Sequence, residues 1–237
     1  MRVDQQPGFV LHARPWRETS LLLEILSRDF GRVGLVARGV RGARTRTPRA
    51  LLQPLTPLNL AWSGQGELAT LAAAEATGTP LGLVGEAVLC GLYLNELITR
   101  LLPRGDPHPG IFAAYLATLQ RLGATRNHAW QLRRFERDLL AELGYGLVLE
   151  HAADTGMPLE PAAEYAYRLD SGPVAWRGTG DGLKLRGSAL LALAADREPD
   201  AQDLATLRRL LRALIAHHLD GPALRAWSML ADLPAGH

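Results

Sequence analysis

Apolar positions along this chain change period near residue 80. Before it they fall in five short runs: 8–14 (GFVLHAR), 19–27 (TSLLLEILS), 31–40 (GRVGLVARGV), 55–62 (LTPLNLAW) and 67–75 (ELATLAAAE). Glycine, proline or polar clusters separate the runs, which predicts five β-strands. The third run alternates, with Val33, Leu35 and Ala37 on one side and Arg32, Gly34, Val36 and Arg38 on the other. One face of that strand can be buried while the other presents arginine. Five short strands, with glycines where a small barrel must bend, predict an OB-like or SH3-like barrel.

From about residue 81 the spacing is helical. Residues 83–102 place Val84, Ala87, Gly91, Leu94, Ile98 and Leu101 on one side, and Pro103 stops the helix. A second helix over 108–122 has Pro109 near its first turn and Gly123 after its end. Asn127 caps a third, with a stripe of Leu132, Phe135, Leu139 and Leu143 closed by Gly144. Residues 164–170 and 173–177 predict a small hairpin with Tyr165, Tyr167 and Leu169 on one face. Asp200 caps a helix carrying Leu204, Leu207, Leu211 and Leu214, and a last short helix covers about 222–231. The predicted fold class is α+β. A five-stranded OB-like or SH3-like β-barrel (residues 1–80) precedes an α-helical domain (residues 81–237) with a small β-hairpin insertion.

Composition narrows this only a little. A chain of 237 residues with 47% hydrophobic content can bury a core, which excludes disorder over most of its length. The opening MRVDQQPGFV reads as a start without a signal peptide. The most apolar stretch, 81–98, carries Glu86, Asn95 and Glu96, so it reads as a buried helix and not a membrane span. The single cysteine, Cys90, excludes an intramolecular disulfide framework and a cysteine-rich zinc site. A cytoplasmic protein is expected.

Charge adds more. The net charge is only +2, yet residues 28–49 hold seven arginines against the single acid Asp29. Arg41, Arg44, Arg46 and Arg49 lie in RGARTRTPR, between the third and fourth strands, with almost nothing apolar to bury. Arg32 and Arg38 lead into that loop, while Arg14 and Arg17 flank Trp16 in ARPWRET. Guanidinium groups bind phosphate bidentately, and released counterions drive association. The cluster points to nucleic acid or another polyanion, against the alternative of a solvated turn. Trp16 is the barrel's candidate for stacking on a base, whereas Phe9 alternates inward as core.

No catalytic constellation emerges. The seven histidines are scattered, neither H-E-x-x-H nor G-x-S-x-G occurs, and 178–187 (GTGDGLKLRG) lacks the G-K-[ST] ending of a phosphate loop. His151 with Asp154 would need a further metal ligand from elsewhere. The chain is expected to be no enzyme and to hold no cofactor and no metal. On the third helix Arg126, Trp130, Arg133 and Arg137 are spaced by 4, 3 and 4, with Arg134 adjacent. This is either a face for an acidic peptide with an apolar end or a solvated face partly neutralised by Glu136 and Asp138.

Several segments together resemble the bacterial RecO family: GFVLHARPWRETSLLLEILS at 8–27, GRVGLVARGVRG at 31–42, LLQPLTPLNLAWSGQGEL at 51–68, GLYLNEL at 91–97, LLPRGDPHPGIF at 101–112, LRRFERDLLAELGYGL at 132–147 and DGPALRAWSML at 220–230. The likeness runs nearly end to end. It implies a non-enzymatic DNA recombination and repair mediator that binds single- and double-stranded DNA and anneals complementary strands. It also implies partners: RecR, the C-terminal tail of single-stranded-DNA-binding protein and, indirectly, RecA, in the nucleoid-associated cytoplasm and away from membranes. Arg133 and Arg134 fall where that family offers basic residues to the acidic tail.

Many members carry a four-cysteine zinc site after LGYG, and here that stretch reads LEHAADTGMPLEPAAEYAY, with Ala152 and Thr155 before Gly156 where the first cysteine pair would stand. The chain therefore resembles a zinc-free branch, with a degenerate zinc-finger-like region at about 148–187. Only Arg225 remains of the basic residues after the glycine-proline turn, so a DNA role for the last helix is not expected. Barrel and basic loop alone would equally suit an OB-fold RNA-binding or ribosome-associated factor.

Overall fold

A computed structural model describes residues 2–40, 47–64, 66–178 and 182–231, without the side chain of Ala231. The apolar runs become β1 (Arg2–Trp16), β2 (Ser20–Ser27), β3 (Gly31–Ala37), β4 (Pro57–Ser63) and β5 (Leu68–Ala76). They close a barrel in the order β1-β2-β3-β5-β4, antiparallel except for the β3–β5 seam. Its interior takes Val10, Leu21, Leu23, Ile25, Leu35, Ala37, Leu58, Leu60 and Trp62, and Leu52 of a short 3-10 turn (Arg49–Leu52) joins them. That seam requires Gly34, because a Cβ there would lie 2.9 Å from both the Glu67 carbonyl oxygen and Leu68 Cδ2.

β2 is buried along nearly its whole length, its apolar run interrupted only by the half-buried Glu24. Leu21, Leu23 and Ile25 fill the barrel, while Leu22 and Leu26 are buried outside that interior cluster. Phe9 is also buried outside it. Its ring packs on Phe112 at 5.7 Å and edge-on to Tyr115 at 5.0 Å, both from a helix and not from the barrel interior.

The helices are α1 (Glu86–Leu101), α2 (Pro109–Ala124), α3 (His128–Glu142), α4 (Gly187–Ala194), α5 (Ala201–His218) and α6 (Ala226–Ala231). Asn127 caps α3 by accepting the Trp130 amide, and Asp200 caps α5 by accepting the Asp203 amide. Gly144 ends α3 with φ 84°, and the Tyr145 amide returns to the Leu140 carbonyl as in a Schellman stop. Gly123, expected just past the end of α2, lies inside it. A Cβ there would meet the Leu81 carbonyl oxygen at 2.0 Å, so a close backbone approach is what requires glycine.

The expected hairpin is a three-stranded antiparallel sheet ordered β7-β6-β8: β6 (Glu164–Arg168), β7 (Gly172–Ala175) and β8 (Leu183–Arg186). Periodicity does not predict α4, because GSALLALA has almost no polar side, and Gly187, Ala189, Leu190, Ala192 and Leu193 are buried.

The chain divides into two units, Met1–Arg126 with Leu224–His237, and Asn127–Ala223. In the first, β1 and α2 both pack on α1, as does α6. Glu96 of α1 accepts the Arg225 and Ala226 amides at 2.9 and 2.8 Å, satisfying the open N-terminus of α6. In the second, α5 packs on α3, α4 and β8.

Candidate nucleic-acid interface

Three predicted residues come together at the β1–β2 turn. β1 pairs Trp16 with Ser20, and the next step across β2 pairs Leu21 with Ala37. The end of β3 therefore lies beside that turn, and Arg38 follows directly. Trp16, Arg17 and Arg38 line one recess of about 670 Å³ together with Val36 and Leu68, with Glu18 also on its wall. Trp16 is 37% exposed and Leu68 40%, large apolar surface beside two guanidinium groups. Arg17 has φ 52°, the left-handed conformation that turns the chain back into β2. An aromatic and aliphatic wall with cations beside it can take an unstacked base and its phosphate. Sequence pattern does not mark Val36 and Leu68 as site residues, because only the parallel β3–β5 seam brings them to the same end.

Arg14 is exposed two residues before Trp16 on β1, and Arg49 is exposed in the 3-10 turn. Arg41, Arg44 and Arg46 lie outside the described residues. Arg32 is placed differently from Arg38. Its Nη1 donates to the Thr99 carbonyl of α1 at 2.5 Å, and its backbone carbonyl accepts the Gly105 amide. Burial pulls its guanidinium below the ordinary arginine value, Glu24 opposes that shift and Arg104 adds to it. Arg32 thus satisfies the C-terminal end of α1, whereas alternation alone puts it with the exposed arginines.

The α3 residues also separate. Arg126 is exposed and precedes the Asn127 cap, so it stands before the helix. Trp130 and Arg133 are buried, and Arg133 pairs with Glu136, itself fully buried. Heptad-like spacing cannot distinguish a buried arginine with an acid one turn away from an exposed one. Arg134 and Arg137 converge on Asp196. Arg134 Nε donates to Asp196 Oδ1 at 2.7 Å and its Nη2 pairs with Oδ2, while Arg137 Nη1 reaches Oδ1 at 3.2 Å. Burial raises the Asp196 carboxyl, but Arg134 and then Arg137 outweigh it and hold it below the usual value.

Strand order, closure and the basic, aromatic recess define a protein of the OB-fold class, joined in one chain to a helical body. The family model "Recombination protein O N terminal" matches residues 1–80, and "Recombination protein O C terminal" matches residues 84–228. The chain is similar to "DNA repair protein RecO" of Nitrosococcus oceani, 48% identical over 98% of this chain and 95% of that one. It is likewise similar to proteins of that name from Xanthomonas oryzae (47%) and Stenotrophomonas maltophilia (49%), each over 98% of both chains. The chain belongs to the RecO family of DNA repair and recombination proteins, which are recombination mediators and not enzymes. No helix among the described residues is long and apolar enough to cross a membrane.

Proposed function

We propose that this chain binds single- and double-stranded DNA, anneals complementary strands and, with RecR, helps RecA load on DNA coated with single-stranded-DNA-binding protein. The observation that carries the reading is the exposed Trp16 ring sharing a recess with Arg17 and Arg38. Residues 1–80 are the DNA-binding module, with Arg14, Arg32, Arg41, Arg44, Arg46 and Arg49 adding positive potential, and residues 81–237 serve the partners. The acidic tail of single-stranded-DNA-binding protein docks at Arg134 and Arg137 with Arg126 nearby in sequence, while Trp130 and Arg133 hold the helix from its buried side. The protein is of the zinc-free, cofactor-free kind and works in the cytoplasm on the nucleoid.

Annealing of complementary strands precoated with single-stranded-DNA-binding protein, with and without its tail, tests this directly. Replacing Arg41, Arg44, Arg46 and Arg49 with alanine should weaken oligonucleotide binding and lower its salt slope by roughly 0.7 for each single-strand phosphate no longer neutralised. An unchanged slope would move the DNA site off the loop. Stronger binding to structured RNA than to single-stranded DNA would transfer the barrel to an RNA role.

A further inference from the structure

Arg134 and Arg137 form a receptor for a carboxylate, and the chain's own Asp196 occupies it. Arg134 grips both carboxylate oxygens in a fork, the geometry guanidinium groups use for bidentate carboxylate recognition. Arg137 adds a contact to Oδ1 while its Nη1 also donates to the Leu193 carbonyl at 2.6 Å. Asp196 stands just past the end of α4 with φ 53°, where glycine is the usual residue. The following amide, of Arg197, closes the helix on the Ala192 carbonyl at 2.9 Å. The Asp196 side chain is 41% exposed, so its carboxylate can exchange the fork for water. Release would leave α4 capped, because the Arg137 bond to Leu193 and the Arg197 bond to Ala192 do not pass through that carboxylate.

We propose that the Asp196 carboxylate is an internal competitor for the Arg134–Arg137 fork, which a carboxylate of the acidic partner tail displaces on binding. The inference rests on the reading of α3 as the acidic-tail surface. A tethered competitor lowers apparent affinity by the fraction of time the fork is open. It also discriminates, since an uncharged ligand cannot take Asp196's place on both guanidinium groups.

The test uses the full chain and a fluorescein-labelled peptide of three aspartates ending in phenylalanine with a free α-carboxylate, followed by anisotropy. Asp196→Asn keeps the size and tolerates positive φ but removes the charge, and it should tighten peptide binding at least fivefold. Arg134→Ala should weaken it at least tenfold. A control peptide with asparagines for aspartates and an amidated end should bind wild type and Asp196→Asn alike. If Asp196→Asn leaves the acidic peptide unchanged or weakens it while Arg134→Ala abolishes binding, the competitor is overturned and the α3 surface stands. If neither substitution moves the affinity, both fall together. Asp196→Gly, which also suits φ 53°, supplies the measurement should the asparagine variant misfold.

Discussion

Asn95 of α1 donates its side-chain amide to the backbone carbonyl of Leu11 in β1 at 3.0 Å, although 84 residues separate them. Leu11 is the residue left out of register where β1 shifts between Val10 and His12, so the bulge sets aside the carbonyl that Asn95 takes. The Asn95 oxygen in turn accepts the buried Tyr115 hydroxyl of α2 at 2.5 Å. One side chain thereby joins barrel, α1 and α2. Asn95→Leu should strand the Leu11 carbonyl, remove the acceptor that Asn95 gives the Tyr115 hydroxyl, and cost about 2–4 kcal/mol. Asn95→Asp should cost more, because a carboxylate oxygen would face the Leu11 carbonyl. Urea unfolding midpoints check both, and an unchanged midpoint would show that this bond does not hold the barrel to the helices.

The barrel seam gives a second expectation. Gly34→Ala places a methyl group 2.9 Å from the Glu67 carbonyl and against Leu68 at the parallel β3–β5 seam. Overpacking of this kind costs about 1–3 kcal/mol. Because Leu68 also lines the recess, the variant should lower the melting temperature and weaken oligonucleotide binding together. Loss of binding without loss of stability would show that the seam itself touches DNA.

Stacking and charge can be told apart at the recess. Trp16→Ala removes no charge, so it should weaken single-strand binding by about 1–3 kcal/mol and leave the salt slope unchanged. Arg17→Ala with Arg38→Ala should instead lower that slope by roughly 1.4, at about 0.7 per single-strand phosphate. Titration by anisotropy between 50 and 200 mM salt (about the range over which phosphate contacts dominate) separates the two. A slope lowered by Trp16→Ala would contradict a stacking role for that ring, and a slope unchanged by the double arginine variant would take Arg17 and Arg38 off the phosphates.

The turn that follows α3 should need no metal. His151 bridges to Pro158, the Ala152 amide donates to the Met157 carbonyl at 2.8 Å, and the Gly156 amide returns to the Ala152 carbonyl at 2.8 Å. Backbone bonds thus close the loop that carries Ala152 and Thr155. Tyr165 and Tyr167 brace it further, their hydroxyls accepting the Glu160 and Val148 amides. Burial raises the Tyr167 hydroxyl to about 12, so it stays protonated at neutral pH. Elemental analysis of tag-free protein should find no stoichiometric zinc, and chelator should leave the melting temperature where it was. A one-to-one zinc content would reverse the expectation.

Acid should loosen α5 through its cap. The Asp200 carboxyl is held below its ordinary value, first by the Asp203 amide and, against a smaller opposing effect of burial, by Arg186. A depressed folded-state value means the stabilisation is complete above the unfolded carboxylate range, near about 4, and is lost as pH falls through the folded value. Asp200→Asn keeps a good cap but no charge. Wild-type stability should therefore fall more steeply than the variant's below about pH 4, as read from urea midpoints at stepped pH. Parallel slopes would leave the Asp200 charge without a part in the acid sensitivity of α5.

Period alone determined most of the elements. Alternation in 31–37 and the apolar residues of 20–27 on either side of Glu24 fix strands, and the caps Asn127 and Asp200 and the stop Gly144 fix helix ends, because these signals act within a few residues. Charge clustering pointed to the barrel as the basic module, and the RecO-like segments are enough by themselves to suggest the family. What sequence could not decide was which arginines are free. Arg38 and Arg32 share one alternating face, yet one lines an open recess and the other donates to the end of α1. Arg133 and Arg134 are adjacent, yet one is sealed against Glu136 and the other holds Asp196, sixty-two residues on. Each outcome depends on which distant carbonyl or carboxylate arrives beside the guanidinium. Only the packed chain sets that distance, because the free energy of a charge is fixed by its final neighbours and burial and not by its place in the sequence.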